Sequence, residues 1–291
     1  MLAEPTVELN KKRALKILDE LEPFSPVAGR LLSTLSADPD TISLSHVGDL
    51  VERDTILAGK ILALANSALY NRGVEVVSIP RAIGALGLNK IRNTVLALSV
   101  NRIWRKAKTP VYWSMVRFNL HSLATAVAAE LLATRTKTNY PEGAFVSGLF
   151  HDIGRLVMAV MLQNEYEPFC NASDDNQPRV RNCERDMLGF DHCELSAEIL
   201  AHWKLPREIQ TAVGFHEYPE VDETYVGHSE FPLSMVIHTA DKYAVSVGAS
   251  IYDSSSSDQG DALRLLGTSD EEGKFFPEFK AQFDLIRSFM N

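Results

Sequence analysis

Histidine and aspartate recur in apolar surroundings at His121, the pair His151-Asp152, His192, His216 and Asp241. Neutral imidazoles and carboxylates are the ligand set of a hard or borderline divalent cation such as iron, manganese, zinc or magnesium. Each of these positions falls on a different predicted helix or helix edge, and helices that donate one ligand each into a bundle core can build such a site. The pair lies within Gly148-Leu-Phe-His-Asp-Ile-Gly-Arg155, flanked by Ala144, Phe145, Leu149, Ile153, Leu156, Val157 and Val160 at helical spacing, which predicts a buried helix. A buried charge without a partner is costly, so the pair needs partners. Adjacent residues on a helix point about 100° apart, and one ion can touch both only if other helices close it in. An ion held there could activate water or polarise a phosphoryl oxygen. The competing reading is a His and an Asp satisfied by ordinary hydrogen bonds. His202, His228 and His238 have no matching partners and are assigned to core or surface.

The elements that must position these residues read as helices throughout. An amphipathic first helix over residues 7–21 stops at Pro23, and Pro26 starts a second. Ser43 or Ser45 can cap a third. Asp54 is placed as the N-terminal cap of an apolar helix whose end carries Asn66, read either as a hydrogen-bonding clasp or as a C-terminal turn residue. A short extended piece over 74–79 precedes Pro80 and a helix closed by Gly87. Another helix follows over 88–104. Beyond a polar, proline-ended stretch at 106–110, helices over 111–135, from Pro141 through the His-Asp pair, within 184–203, from Pro206, and over 236–244 carry the candidate ligands. Strand signals are nearly absent, so the expected fold is all-α, a multi-helix bundle with an N-terminal helical subdomain packed on a second helical domain. The expected division is 1–105, 106–250 and a helical tail over 251–291.

With 291 residues, 45% hydrophobic and 23% charged, the chain can bury one large or two modest cores. A formal net charge of −9 argues against general nucleic-acid binding, which usually shows a basic face. Cys170, Cys183 and Cys193 are odd in number and lack Cys-x-x-Cys spacing, which fits a reducing compartment. No basic region followed by an apolar run opens the sequence, and no uninterrupted apolar stretch is expected to reach the length of a membrane span. The expected location is the cytoplasm, off the membrane.

From about Leu21 to Lys242 the sequence resembles the HDOD family, a branch of the His-Asp metal-dependent phosphohydrolase superfamily. Asp54, Lys60-Ile-Leu-Ala-Leu-Ala-Asn-Ser-Ala-Leu-Tyr70 and Ser78-Ile-Pro-Arg-Ala-Ile-Gly-Ala-Leu-Gly87 look like its first blocks. Gly148–Arg155, Gly189-Phe-Asp-His192 and Trp203-Lys-Leu-Pro206 look like its second half. The resemblance implies metal ligation by His121, His151, Asp152 and Asp241, with His192 and His216 similar to the further histidines of cyclic-di-nucleotide phosphodiesterases. HDOD proteins as a group are regarded mainly as noncatalytic bacterial signalling modules.

Two departures from the phosphodiesterase pattern bear on catalysis. Arg155 stands where that branch has lysine; it could steady a phosphate, but its permanent charge would not serve as a proton-transfer base. After His216, Glu217 takes the place of a second histidine, and the glycine-rich loop is missing. The expected function is therefore a signalling or regulatory protein acting through contacts with other signalling proteins, with a divalent metal or a nucleotide in a degenerate pocket. The alternative is a metal-dependent phosphohydrolase acting on a nucleotide or cyclic di-nucleotide.

Overall fold

The computed structural model describes residues 4–16, 25–35, 43–71, 73–104, 108–171, 177–224, 230–252, 259–267 and 273–290. His228 and residues 253–258 of the expected tail lie outside them, as do residues 17–21 at the end of the expected first helix. Over the described residues the fold is all-α. In chain order the helices are α1 (Glu4–Leu15), α2 (Pro26–Ser33), α3 (Leu44–Glu52), α4 (Thr55–Ala65), α5 (Ile79–Leu86), α6 (Leu88–Trp104), α7 (Met115–Arg135) and α8 (Ala144–Phe150). They continue as α9 (Ile153–Met161), α10 (Gln163–Asn171), α11 (Gln177–Leu188), α12 (His192–His202), α13 (Arg207–Gly214), α14 (Leu233–Ser246), α15 (Gln259–Arg264) and α16 (Phe275–Met290). A lone parallel bridge joins Thr138 to Phe231.

The chain forms two compact units, and each gathers a terminus from the far end of the sequence: residues 1–21 join 105–274, and 275–291 join 22–104. The sequence division into 1–105, 106–250 and 251–291 differs at both ends. Helical periodicity marks which face of α16 is apolar without saying which helix it meets. In the structure α16 packs on α6, with Asn101 Nδ2 donating to Met290 O at 2.8 Å and Lys90 Nζ donating to Gln282 Oε1 at 2.9 Å.

In this smaller unit, Ser43 and Asp54 cap α3 and α4 by accepting from the backbone N–H groups of His46 and Leu57. Asn66 is a clasp. Its amide donates to Leu62 O and Val76 O at 3.0 and 2.7 Å, and its Oδ1 accepts from Val76 N at 2.8 Å, so one side chain pairs both backbone groups of Val76. The expected extended piece is therefore held by a side chain and not by a strand partner.

The larger unit is organised around α7, which is buried over Leu123–Ala129 and packs against α8 and α14. α12 lies against α9 and α13. Residues Pro141–Met161 form a 21-residue stretch of high mean hydropathy, interrupted by Glu142, Asp152 and Arg155 and by the break between α8 and α9. It is mostly buried inside the unit, where its apolar side chains form core.

Two glycines set how closely these helices meet. A Cβ on Gly148 would lie 2.8 Å from Ala126 Cα, and one on Gly154 would lie 2.3 Å from His192 O. The first clearance lets α8 approach α7; the second lets α9 approach the start of α12, where Gly154 N also donates to Ser196 Oγ at 2.8 Å. Gly154→Ala forces backbone apart and should destabilise the protein by at least ~1–3 kcal/mol, the usual range for overpacking a core. Urea denaturation followed by circular dichroism measures this, and an unchanged midpoint would refute the close-approach role.

Candidate metal centre

The expected continuous helix through the His-Asp pair breaks at the pair. α8 ends at Phe150, α9 begins at Ile153, and Asp152 sits between them at φ −103°, ψ 15°. The break has a chemical consequence. On an unbroken helix the two side chains would diverge, whereas here His151 Nε2 and Asp152 Oδ2 lie 3.5 Å apart and face one centre.

α7 brings His121 to that centre and α14 brings Asp241. His121 Nε2 is 3.1 Å from His151 Nε2, 3.1 Å from Asp241 Oδ1 and 3.6 Å from Asp152 Oδ2. His216, just beyond α13, stacks edge-on to His151 with ring centroids 5.0 Å apart. His192 is the first residue of α12, which is fixed by a capping box between Asp191 and Glu194. All the candidate residues predicted from sequence, Arg155 included, thus converge within the larger unit, and none is more than 4% exposed.

The imidazoles share one orientation. Nδ1–H of His121, His151 and His216 donates to the carbonyl oxygens of Ala249, Gly148 and Val213 at 2.8, 2.8 and 2.7 Å, and that of His192 donates to Glu184 Oε2 at 2.6 Å. Each Nε2 is therefore turned inward toward the cluster, as in metal-ligating histidines whose second nitrogen is tied to a carbonyl or carboxylate. His216 Nε2 is buried without a hydrogen-bond partner, a costly state for a polar atom unless something is bound there. Ligand atoms of His121, His151 and Asp241 lie within 4.8 Å of one another, as do those of His151, Asp152 and His216. The donor set fits a divalent cation.

Asp152 is the hinge of the cluster. Its Oδ2 faces His121 and His151, while its Oδ1 accepts from Arg155 Nε at 2.9 Å and lies 3.5 and 3.8 Å from Nε2 of His192 and His216. Arg155 Nη2 reaches His192 Nε2 and Glu217 Oε1, both at 3.1 Å. Burial opposes ionisation of Asp152, but the Arg155 guanidinium and then the neighbouring histidines hold its pKa well below the usual carboxylate range. Burial opposes a charge on His121 too, yet its hydrogen bonds to Asp152 and Asp241 prevail and push its pKa up to about 10. Burial, reinforced by His151, pushes His216 down to about 4.

Sequence reasoning passed over Glu184, whose Oε2 accepts from both N and Nδ1 of His192 and whose Oε1 accepts from the Tyr166 hydroxyl at 3.1 Å. It sits in a polar helix with no periodic signal to single it out. Glu217 was noticed only as a replacement for histidine; its position against Arg155 makes it part of the cluster. His238, assigned to core or surface, donates from Nδ1 to His216 O and so steadies the loop carrying His216. His202 is exposed.

A helical bundle that focuses histidines from several helices and buried carboxylates on one centre defines a His-Asp domain. The chain belongs to the HDOD family: the HDOD domain profile matches residues 21–219. The fold is similar to that of an HDOD domain protein of unknown function from Geobacter sulfurreducens, at 23% identity and TM-score 0.67 over 98% of both chains. It is also similar to a provisionally named signal transduction protein from Marinobacter aquaeolei VT8, at 20% identity and TM-score 0.69 over 98% of this chain and 65% of that one. A provisionally named phosphohydrolase from Shewanella amazonensis SB2B aligns at 22% identity and TM-score 0.68 over 96% of each chain. No curated protein matches.

The shifted histidines predict a stability maximum for the metal-free protein. His216, depressed to about 4, contributes stability present above its unfolded value of ~6.5 and lost as pH falls toward 4. His121, raised to about 10, contributes stability present below ~6.5 and lost as pH rises toward 10. The free energy of unfolding, measured by denaturation across this range, should be greatest near pH ~6.5. A divalent cation must displace the His121 proton, so calorimetric titration with Mn2+ at pH ~7.5 in buffers of different ionisation enthalpy should show release of about one proton per ion. A flat stability profile together with no proton release would refute the assignment of that proton to His121.

Proposed function

We propose that this protein is a bacterial HDOD regulator that binds one divalent cation in its His/Asp pocket and acts through contacts with other signalling proteins, without hydrolysing a substrate. His121, His151, Asp152 and Asp241 would hold the ion, with His216 Nε2 as a further donor. Bound there, the ion would supply Lewis acidity toward water or a phosphoryl oxygen. The observation that carries the noncatalytic reading is closure of the site. Its imidazoles and aspartates are almost wholly buried, and Arg155, the group placed to steady a phosphate, already faces Asp152 and Glu217. A hydrolase needs an approach for substrate and a group free to move a proton, and here the residues around Asp152 are engaged with one another.

The setting we propose is the cytoplasm, consistent with free thiols at Cys183 and Cys193 and with the bacterial sources of the similar structures. A net charge of −9 disfavours nucleic acid as partner.

The second reading, a metal-dependent phosphohydrolase of nucleotides or cyclic di-nucleotides, is favoured by the intact donor set and by the name of the similar Shewanella protein. In it His192, His216 and Arg155 would face substrate. Protein purified without chelator should carry a divalent metal by elemental analysis, lose it in Asp152→Ala, and turn over neither cyclic di-nucleotides, nucleoside triphosphates nor a generic phosphate ester with Mn2+ or Fe2+ supplied. Metal-dependent turnover that disappears in a folded Asp152→Ala variant would overturn the regulatory reading.

A further inference from the structure

We propose that the Arg155 guanidinium is a built-in cation occupying the half of the cluster that would otherwise take a second divalent ion, so that the centre is limited to one. This rests on the reading of the centre as a metal site. The cluster has two halves that share Asp152. On the Oδ2 side stand His121, His151 and Asp241; on the Oδ1 side stand His192, His216, Glu217 and Arg155.

The second half has its own donors. Ligand atoms of His192, Cys193 and His216 lie within 4.8 Å of one another, and His192 Nε2 is 3.4 Å from Glu217 Oε1. Imidazole, thiol and carboxylate together suit a borderline cation. Arg155 is what fills that half. Its Nε donates to Asp152 Oδ1, its Nη2 donates to Glu217 Oε1 and meets His192 Nε2, and its Nη1 lies 3.8 Å from Glu184 Oε1. Its Cζ lies over the Tyr252 ring, 5.8 Å from the centroid. A guanidinium is always charged and can only donate, so the lone pairs of Asp152 Oδ1 and His192 Nε2 that a second ion would need are directed at N–H groups.

Charge balance points the same way. Asp152, Asp241, Glu184 and Glu217 are carboxylates with buried side chains. With Arg155 in place a second divalent ion would leave the cluster net positive; without Arg155, two divalent ions would balance the four carboxylates. Such a replacement differs from loss of the site. Every donor of the second half is still present, and one residue closes it.

The test is metal stoichiometry. Wild-type protein, Arg155→Ala and Arg155→Gln are stripped with chelator, dialysed against saturating Mn2+ and assayed by elemental analysis and electron paramagnetic resonance, with circular dichroism as the check on folding. Wild type should take up about one Mn2+ per chain with the resolved hyperfine pattern of an isolated ion, and a folded neutral variant about two, with that pattern broadened by coupling between neighbouring ions. Two ions in wild type would overturn the inference whether or not the variants fold, as would a folded neutral variant that stays at one. No ion in any of the proteins would overturn the metal reading itself, and the inference with it.

Discussion

The two oxygens of Asp152 face different partners, and the rest of the larger unit is built to permit that. One oxygen looks toward the imidazoles of His121 and His151, the other toward a guanidinium that has only protons to give. Either arrangement alone would be an ordinary buried pair. Joined through one carboxylate, they make a chain of alternating charge from Asp241 through His121 and Asp152 to Arg155 and Glu217, in an interior where an unpaired charge is far more costly than at the surface.

Holding that chain together requires backbone to approach backbone. Gly148 admits α7 to the helix before the pair, and Gly154 admits the start of α12 to the helix after it. The break between α8 and α9 then turns His151 and Asp152 onto one centre. Carbonyls of Gly148, Val213 and Ala249 and the carboxylate of Glu184 complete the arrangement by holding the Nδ1 atoms, which turns every Nε2 inward. A motif that reads as glycines around a His-Asp pair is therefore a packing device as much as a ligand pair.

On the proposed reading, the same geometry would separate metal binding from catalysis. The donors that would hold one ion are oriented, buried and paired, which favours tight binding. The groups that would have to engage a substrate are fastened to one another: Arg155 to Asp152 and Glu217, His192 to Glu184. On the proposed reading, a cation bound there would stabilise the bundle by mass action, and a bundle whose stability depended on a ligand would suit a regulatory element.

Much of this was legible in the amino-acid sequence. Helical periodicity and caps such as Asp54 mark the elements, because these are local effects of spacing and of free backbone N–H groups. The apolar settings of His121, His151-Asp152, His192, His216 and Asp241 mark the candidate donors, because a polar side chain on a buried face needs a reason to be there. What only the tertiary structure decided is how those residues are shared out. Glu184 carries no pattern of its own and becomes part of the site by lying under His192. Arg155 reads as a residue for phosphate and is instead turned inward onto carboxylates from its own and other segments. α16 joins α6 from the opposite end of the chain. Each of these depends on contacts between residues distant in sequence, where the partner and the distance are set by packing, and no local spacing encodes them.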